Sequence, residues 1–245
     1  MLSIDLNADL GEHPATNLDE QIMPYLSSCN IACGGHIGDA SSVRNTVLIA
    51  KSNSVAVGAH PSYPDRKNFG RKVMQIQPQE LADSLQEQIS LVKRICEEEG
   101  VSLHHVKPHG ALYNHAAANT FMSQLILEVL QDTCPNVPWM GFAHSLSQEV
   151  AEKANYPFIA EGFADRRYES DGTLRSRSLP GAVLEPAEVL GQVEELVLRK
   201  RVKADEWMPL SVQSICLHGD TAGAISLAKQ IHDHLVDKGI HIAAV

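Results

Sequence analysis

Short apolar runs with a period of two recur along the chain, and each one ends at a group of polar residues. In residues 2–7, for example, leucine and isoleucine alternate with serine, aspartate and asparagine, which predicts a β-strand with one polar face. The polar groups that end these runs lie at residues 5–12, 30–36, 58–61, 106–110, 142–144, 161–166 and 218–220.

Stretches with helical periodicity separate most of these strands. The clearest begins at Pro78 and stops at Gly100, which is the usual placement of proline and glycine at helix ends. Further helices are predicted after the capping residues Asp39, Asn119 and Ser145, from Pro186, and from Thr221 to about Asp237. The predicted strands beyond the second lie at residues 55–60, 103–109, 140–143, 158–163 and 215–218, with residues 240–245 as an eighth strand or a tail on the barrel rim.

A repeated strand–helix order predicts a parallel sheet. The 245 residues fit one barrel, since such domains commonly have roughly 200–250 residues. We therefore predict an α/β fold, a single (β/α) TIM-like barrel over residues 1–245 with seven or eight parallel strands. Because all strand carboxyl ends meet at one end of such a barrel, the polar groups should form one active site.

Composition narrows the possible partners. The net charge of −10 argues against a nucleic-acid partner, because phosphate binding needs clustered Lys and Arg. No apolar run approaches the roughly 20 residues that span a bilayer, and the N-terminus lacks a signal-peptide pattern. Five cysteines without such a signal indicate reduced thiols and a cytoplasmic protein. The basic run at residues 199–203 is predicted to end a helix.

The first polar group carries three carboxylates, on Asp5, Asp9 and Glu12. Carboxylates that share a site raise one another's pKa, which produces a general base or acid near neutral pH. We therefore expect Asp9 to be the general base, with its pKa raised by Asp5 or Glu12. A solvated acidic turn is the alternative interpretation. If Asp9 is not the base, the role falls to His60 or Asp220.

The fourth polar group places Lys107 and His109 on either side of Pro108. A lysine at a strand end needs an anionic partner, so Lys107 should meet a carboxylate or a substrate anion. Strand alternation puts His105, Lys107 and His109 on one face. It likewise groups Gly58 with His60.

Metal and nucleotide chemistry are less clearly indicated. His105 and His109 have an H-x₃-H spacing, and Asp9, His36, His60 and His218 could add ligands. That spacing falls on a strand interrupted by proline, so we assign no metal ligand, and whether a metal is needed stays open. The chain has neither G-x-x-x-x-G-K-[ST] nor G-x-G-x-x-G, so nucleotide chemistry needs another cradle or another subunit.

Six segments, in the order in which they stand in the chain, resemble the LamB/YcsF family. They are D-L-N-A-D-L-G-E, N-I-A-C-G-x-H-x-G-D with Gly35 and Ile37 at the variable positions, G-A-H-P-S-Y-P-D-R, V-K-P-H-G-A-L-Y-N, F-A-D-R-R-Y and C-L-H-G-D. The resemblance implies a barrel of the glycoside hydrolase/deacetylase type. It also implies a subunit of an ATP-dependent 5-oxoprolinase, which opens 5-oxo-L-proline to L-glutamate, with ATP handled together with partner subunits B and C. Gly35, Ile37 and Lys67-Asn68 depart from the family pattern at the mouth.

The same resemblance implies the site residues. We expect catalytic roles for Asp9, His60, Lys107, His109 and Asp220, and substrate-binding roles for Asn7, Glu12, His36, Asp165, Arg166 and His218. Within this set, His109 should protonate the leaving nitrogen, and Lys107 and Arg166 should hold anionic groups. Two alternatives stay open: a metal-dependent deacetylase or amidohydrolase acting on a sugar or amide, and a non-catalytic subunit that binds partners.

Overall fold

A computed structural model of the protein describes residues 2–13, 16–177, 179–217 and 223–245. The strands in these residues are β1 (Ser3–Leu10), β2 (Ser28–Ala32), β3 (Ala56–His60), β4 (Leu103–Val106), β5 (Trp139–Phe142), β6 (Phe158–Phe163), β7 (Arg201–Lys203), β8 (Trp207–Pro209), β9 (Ser214–Leu217) and β10 (His241–Ile242). β1 to β6 pair in sequence order, and β9 joins β6 back to β1. Seven parallel strands thus close into a barrel in the described part of the chain, which confirms the predicted fold.

The helices lie between consecutive barrel strands or after the last one. They are α1 (Leu18–Ile22), α2 (Ala40–Ser52), α3 (Pro78–Glu98), α4 (Gly110–Ala118), α5 (Thr120–Thr133), α6 (Leu146–Lys153), α7 (Pro186–Arg199) and α8 (Ala224–Asp237). The predicted caps are present: Asp39, Asn119 and Ser145 each accept a hydrogen bond from a backbone N–H of the helix that follows. Thr221, the predicted start of α8, lies outside the described residues.

Strand alternation separates the core from the barrel interior. In β1, the apolar residues from Ile4 to Leu10 are buried and belong to the hydrophobic core. The residues between them, Asp5, Asn7 and Asp9, form hydrogen bonds and ion pairs across the barrel to residues of other strands. On α3, the apolar residues that recur with helical periodicity from Leu81 to Cys96 form the buried face. The large apolar side chains therefore pack between strands and helices, which leaves the interior to polar groups.

β4 is shorter than predicted, because it ends at Val106 rather than at His109. Beyond it, the chain still follows β3: the N–H of Lys107 donates to the Ala59 carbonyl, and that of His109 donates to the Pro61 carbonyl. Pro108 between them has no N–H to donate. Lys107 and His109 therefore extend past the regular strand and lie at the barrel mouth.

The basic run and the C-terminal segment each contain a short strand outside the barrel. Arg199 ends α7 as predicted, and Lys200 follows with a left-handed φ of 49°. Residues 201–203 then form β7, which pairs with β8 as an antiparallel hairpin. At the other end of the chain, β10 pairs with Ser3 and Ile4. It lies beside the start of β1 and outside the closed ring.

The segment after β6 folds back over the mouth of the barrel. Isolated antiparallel bridges join Arg166 to Val183 and Tyr168 to Leu174. The buried Tyr168 hydroxyl accepts a hydrogen bond from the N–H of Phe163, which fixes this segment to the end of β6. Among the described residues, no helix combines the length and the apolar character needed to cross a membrane.

Candidate active site at the carboxyl end of the barrel

A buried lysine and two carboxylates form the centre of the barrel interior near its carboxyl end. The Lys107 ammonium lies 2.8 Å from Glu161 Oε1 and 3.1 Å from Asp9 Oδ1. Burial disfavours the charge on Lys107, but the carboxylates of Asp9 and Glu161 outweigh that effect and hold its pKa well above the usual value. The predicted anionic partners of Lys107 are therefore groups of the protein itself.

Amides and hydroxyls below this centre fix its geometry. The Asn7 amide donates to Glu161 Oε1 at 2.9 Å and to Ser214 Oγ at 2.7 Å. Asn30 donates to Asn7 Oδ1 at 2.7 Å and to Asp9 Oδ1 at 2.9 Å. Asn7 was expected to bind substrate, but it is fully buried and does not line the cavity at the mouth. Its contacts are those of a residue that orients Glu161.

Three histidines meet above Asp9. His60 Nε2 lies 3.0 Å from His109 Nδ1 and 3.3 Å from Asp9 Oδ2. The His36 ring stacks on that of His109 with centroids 3.8 Å apart, and His36 Nε2 lies 2.9 Å from Glu12 Oε1. The sequence therefore identified a real cluster, although His105, another histidine considered as a ligand, lies deeper and bonds Asn30 Oδ1 at 2.6 Å.

Burial keeps the rings of His36, His105 and His109 neutral. Burial first, and then the neighbouring His60, lower the pKa of His36 and of His109 to about 3. Burial also lowers the pKa of His105 well below the ordinary value for histidine. At neutral pH, His36, His105 and His109 are consequently neutral imidazoles, which can accept a proton but do not act as general acids.

A cavity of about 760 Å³ opens over this cluster. Asp9, Glu12, His60, Lys107 and His109 line its floor, and Phe142 and Phe163 lie among its apolar lining. The arginines that line the same cavity are Arg71, Arg166, Arg175 and Arg177. A polar floor, apolar walls and several cations suit a small anionic molecule.

Some expected site residues lie elsewhere. Asp5 or Glu12 was expected to raise the pKa of Asp9, and of these Asp5 lies four residues back along the strand, about 13 Å away. Asp5 instead accepts hydrogen bonds from Ser27, Ser28 and Ser214. His36 is buried behind His109 and does not line the cavity. Asp165 is also buried away from the cavity.

Arg166 lines the cavity, but its guanidinium is already engaged. Its Nε donates to the carbonyl of Ala182 and its Nη2 to the carbonyl of Arg175. These bonds hold the segment over the mouth, so Arg166 acts at least as much in shaping the cavity as in offering charge to it. The predicted site residues His218 and Asp220 lie outside the described residues.

Sequence reasoning missed Glu161, which is fully buried. Besides Lys107 and Asn7, it accepts a hydrogen bond from the Tyr113 hydroxyl at 2.7 Å. A single carboxylate inside the apolar strand Phe158–Phe163 was the available signal, because a buried charge needs a partner of opposite sign. Sequence reasoning also missed Arg71, Arg175 and Arg177, since loop residues carry no periodicity that would place them.

Comparisons to known proteins agree with the barrel fold. A family model described as the LamB/YcsF family matches residues 4–245. The chain belongs to the LamB/YcsF family. It is 43% identical over 247 residues to a protein from Haemophilus influenzae (strain PittEE) that is named as a 5-oxoprolinase subunit, with 100% of each chain covered.

Solved structures give the same family relationship and the same fold. A crystal structure described as the lactam utilization protein from Thermus thermophilus matches with a TM-score of 0.93 and 33% identity, covering 100% of both chains. A structure described as the T48 deacetylase with substrate matches with a TM-score of 0.51 and 11% identity, covering 99% of this chain and 87% of the other. The second likeness concerns the fold alone.

The neutral state of His105 predicts how stability depends on pH. Its pKa is lowered in the folded protein, so below about pH 6.5 the unfolded chain binds a proton that the folded chain does not. The free energy of unfolding should therefore fall between pH 7 and pH 5, with up to about 2 kcal/mol of this loss due to His105. The free energy of unfolding of His105→Gln should fall less over the same pH interval, as measured by urea titrations followed by circular dichroism. An equal loss in both proteins would contradict a neutral, buried His105.

Proposed function

We propose that this protein is the ring-opening subunit of an ATP-dependent 5-oxoprolinase, which converts 5-oxo-L-proline to L-glutamate together with partner subunits B and C. The observation that carries the proposal is the cluster of Asp9, His60, Lys107 and His109 on the floor of a cavity lined by arginines. Family membership and the name of the 43% identical relative give the substrate class.

The charges around the cavity suit this substrate. 5-Oxoproline carries a carboxylate, and its binding calls for cations on the cavity wall. Lys107 is shared between two carboxylates of the floor, Asp9 and Glu161, so the substrate carboxylate is assigned to the side of the cavity that is lined by arginines. Arg71, Arg166, Arg175 and Arg177 contribute positive charge there, although Arg166 and Arg175 also bond groups of the protein. Guanidinium groups bind planar carboxylates and phosphates in a bidentate manner. The same arginines therefore suit a lactam that the partner subunits have activated by phosphorylation.

The chemistry of ring opening assigns a task to each group on the floor. A lactam is an unreactive amide, so a water oxygen must be activated as it bonds to the ring carbonyl carbon, and the C–N bond then breaks. Asp9, His60 and His109 face one another within hydrogen-bonding range, and they position and activate this water. Lys107 keeps Asp9 ionised, since their opposite charges lie 3.1 Å apart.

The proton needs a carrier from the water to the leaving nitrogen. From the sequence, His109 was expected to protonate the leaving nitrogen. With a pKa of about 3, His109 has no proton to give at neutral pH. Glu12 lines the cavity, and its Oε1 lies 3.5 Å from His109 Nδ1. We assign to Glu12 the acceptance of the proton from water and its return to the ring nitrogen.

The purified chain alone should release little or no glutamate from 5-oxoproline. Its sequence has no phosphate-binding loop of the G-x-x-x-x-G-K-[ST] type, so activation of the lactam is expected to come from subunits B and C. The measurement is glutamate release from 5-oxoproline with ATP, for the chain alone, the partners alone, and all three together. Only the complete mixture should turn over.

Two outcomes would contradict this proposal. ATP-dependent turnover by the isolated chain would show that no partner is needed. Release of acetate from an acetylated sugar without ATP, by the chain alone, would favour the deacetylase alternative instead. A sample without ATP and one with heat-denatured chain are the matched controls.

A further inference from the structure

The hydrogen bonds of His60 and His109 fix where each ring carries its proton. His60 Nδ1 lies 2.7 Å from the carbonyl oxygen of Lys107, and His109 Nε2 lies 3.0 Å from that of Phe69. A carbonyl oxygen can only accept, so each of these nitrogens must carry the hydrogen. In the neutral rings, His60 Nε2 and His109 Nδ1 are therefore both lone pairs. They face each other at 3.0 Å.

The same conflict recurs beside them at His36. The Ser62 hydroxyl donates to the carbonyl of Tyr63, so it accepts from His36 Nδ1, which lies 3.1 Å away. The lone pair of His36 Nε2 then points at Glu12 Oε1, only 2.9 Å away. A carboxylate oxygen is also an acceptor. Three ring lone pairs and carboxylate oxygens of Asp9 and Glu12 thus lie close together.

A divalent cation between Asp9, His60 and His109 would satisfy the two ring lone pairs and the carboxylate oxygen together. The Lys107 ammonium lies against the other oxygen of Asp9, Oδ1, and is shared with Glu161. Asp9 therefore has one oxygen for Lys107 and another directed at His60.

We propose that Asp9 Oδ2, His60 Nε2 and His109 Nδ1 bind a divalent transition-metal ion at the floor of the cavity. These three atoms lie within 4.8 Å of one another. The separations of 3.0 Å and 3.3 Å from His60 Nε2 are close to the roughly 3.3 Å between ligands that bind zinc tetrahedrally at about 2.0–2.1 Å.

The surroundings are those of a catalytic metal site. Histidine ligands of metals usually donate their second N–H to a carbonyl or carboxylate, which fixes the ring, as the carbonyls of Lys107 and Phe69 do here. Two histidines and one carboxylate leave coordination positions open for water or substrate. All three ligands line the cavity, so those positions face the space where the substrate would bind.

The metal site extends the proposed function. The catalytic role of the ion rests on that function, whereas its binding does not. A bound water loses its proton more readily and becomes a nucleophile at neutral pH. Asp9 then activates the water through the ion, and Glu12, 3.5 Å from His109 Nδ1, accepts the released proton. The O–C bond forms, the ring C–N bond breaks, and the nitrogen takes the proton from Glu12; a second water then displaces the phosphate of the activated lactam, so that glutamate and inorganic phosphate are released.

The test is direct metal binding by the chain without partners or substrate. Protein stripped with a chelator is titrated separately with Zn²⁺, Mn²⁺ and Co²⁺ in a calorimeter, and Co²⁺ is also followed by its visible absorption. We expect one ion per chain and a raised melting temperature, since the ion binds the folded state. Asp9→Asn and His60→Gln should each weaken binding by about 100-fold or more, because even outer partners of a metal contribute about 10–100-fold.

His232→Gln is the matched control, because His232 lies on the surface helix α8 and should leave metal binding unchanged. Circular dichroism shows whether each variant folds. If His60→Gln does not fold, Asp9→Asn still tests the site. The proposal is overturned if no metal binds the wild-type protein, or if both site variants bind as well as the control. A chain that binds the ion but releases no glutamate in the full mixture would refute the proposed function and leave the metal site standing.

Discussion

Asp9→Asn is expected to lower the kcat of the assembled enzyme by about 10²–10⁴-fold while the protein stays folded. Asp9 lies at the cavity floor between Lys107 and His60, with one carboxylate oxygen directed at each. Asparagine has nearly the same shape but carries no charge, so it can neither bind an ion strongly nor assist removal of a proton. Glutamate release from 5-oxoproline by the reconstituted complex measures the loss.

Asp83→Asn is the matched control for this variant. Asp83 is exposed on α3 and accepts a hydrogen bond from Gln79 of the same helix. It should retain wild-type turnover. If Asp9→Asn kept more than roughly a third of wild-type kcat, far less than the expected loss, the activating carboxylate would have to be another residue, such as Glu12.

Lys107→Met is expected to cost about 3–5 kcal/mol of folding free energy and to abolish turnover. Lys107 is the cation that faces the buried carboxylates of Asp9 and Glu161. Methionine fills much of the volume but leaves Glu161 without its opposite charge in a fully buried position. Urea unfolding gives the stability, and glutamate release gives the activity.

The double variant Lys107→Met/Glu161→Gln separates these two effects. Removing both charges should recover much of the lost stability, since the penalty comes from one uncompensated buried charge. Turnover should stay lost, because Asp9 still lacks the cation that keeps it ionised. Lys153→Met removes an exposed ion pair with Glu149 and should change stability by less than about 1 kcal/mol. If Lys107→Met were as stable as the wild type, this result would contradict the buried group of three charges.

Much of the barrel could be predicted because its signals are local. Period-two alternation located β6 at its observed bounds, and capping residues such as Asp39 located helix starts. The end of β4 was misplaced because Lys107 and His109 continue the alternation while the chain has already left the regular strand. The hairpin β7–β8 was missed because two three-residue strands are too short for any period to show.

The membership of the site could be predicted better than its roles. Asp9, His60, Lys107 and His109 meet as expected, because residues at strand carboxyl ends converge in any parallel barrel. Roles depend on distances between strands, which a sequence does not contain. Asp5 was therefore grouped with Asp9, although it lies four residues back along β1 and accepts hydrogen bonds from serines. His109 received the role of an acid although its surroundings make it a base, and the buried partner Glu161 was overlooked.

The claim that this centre opens the lactam is tested most directly by mixing wild-type and Asp9→Asn chains with fixed amounts of subunits B and C. Glutamate release is measured as the proportion of the variant rises, and gel filtration confirms that the variant enters the complex. The account predicts that the rate falls in proportion to the remaining wild-type chain. An unchanged rate in a complex that demonstrably contains the variant would contradict it, and would make this protein a partner-binding subunit whose cavity carries no chemistry.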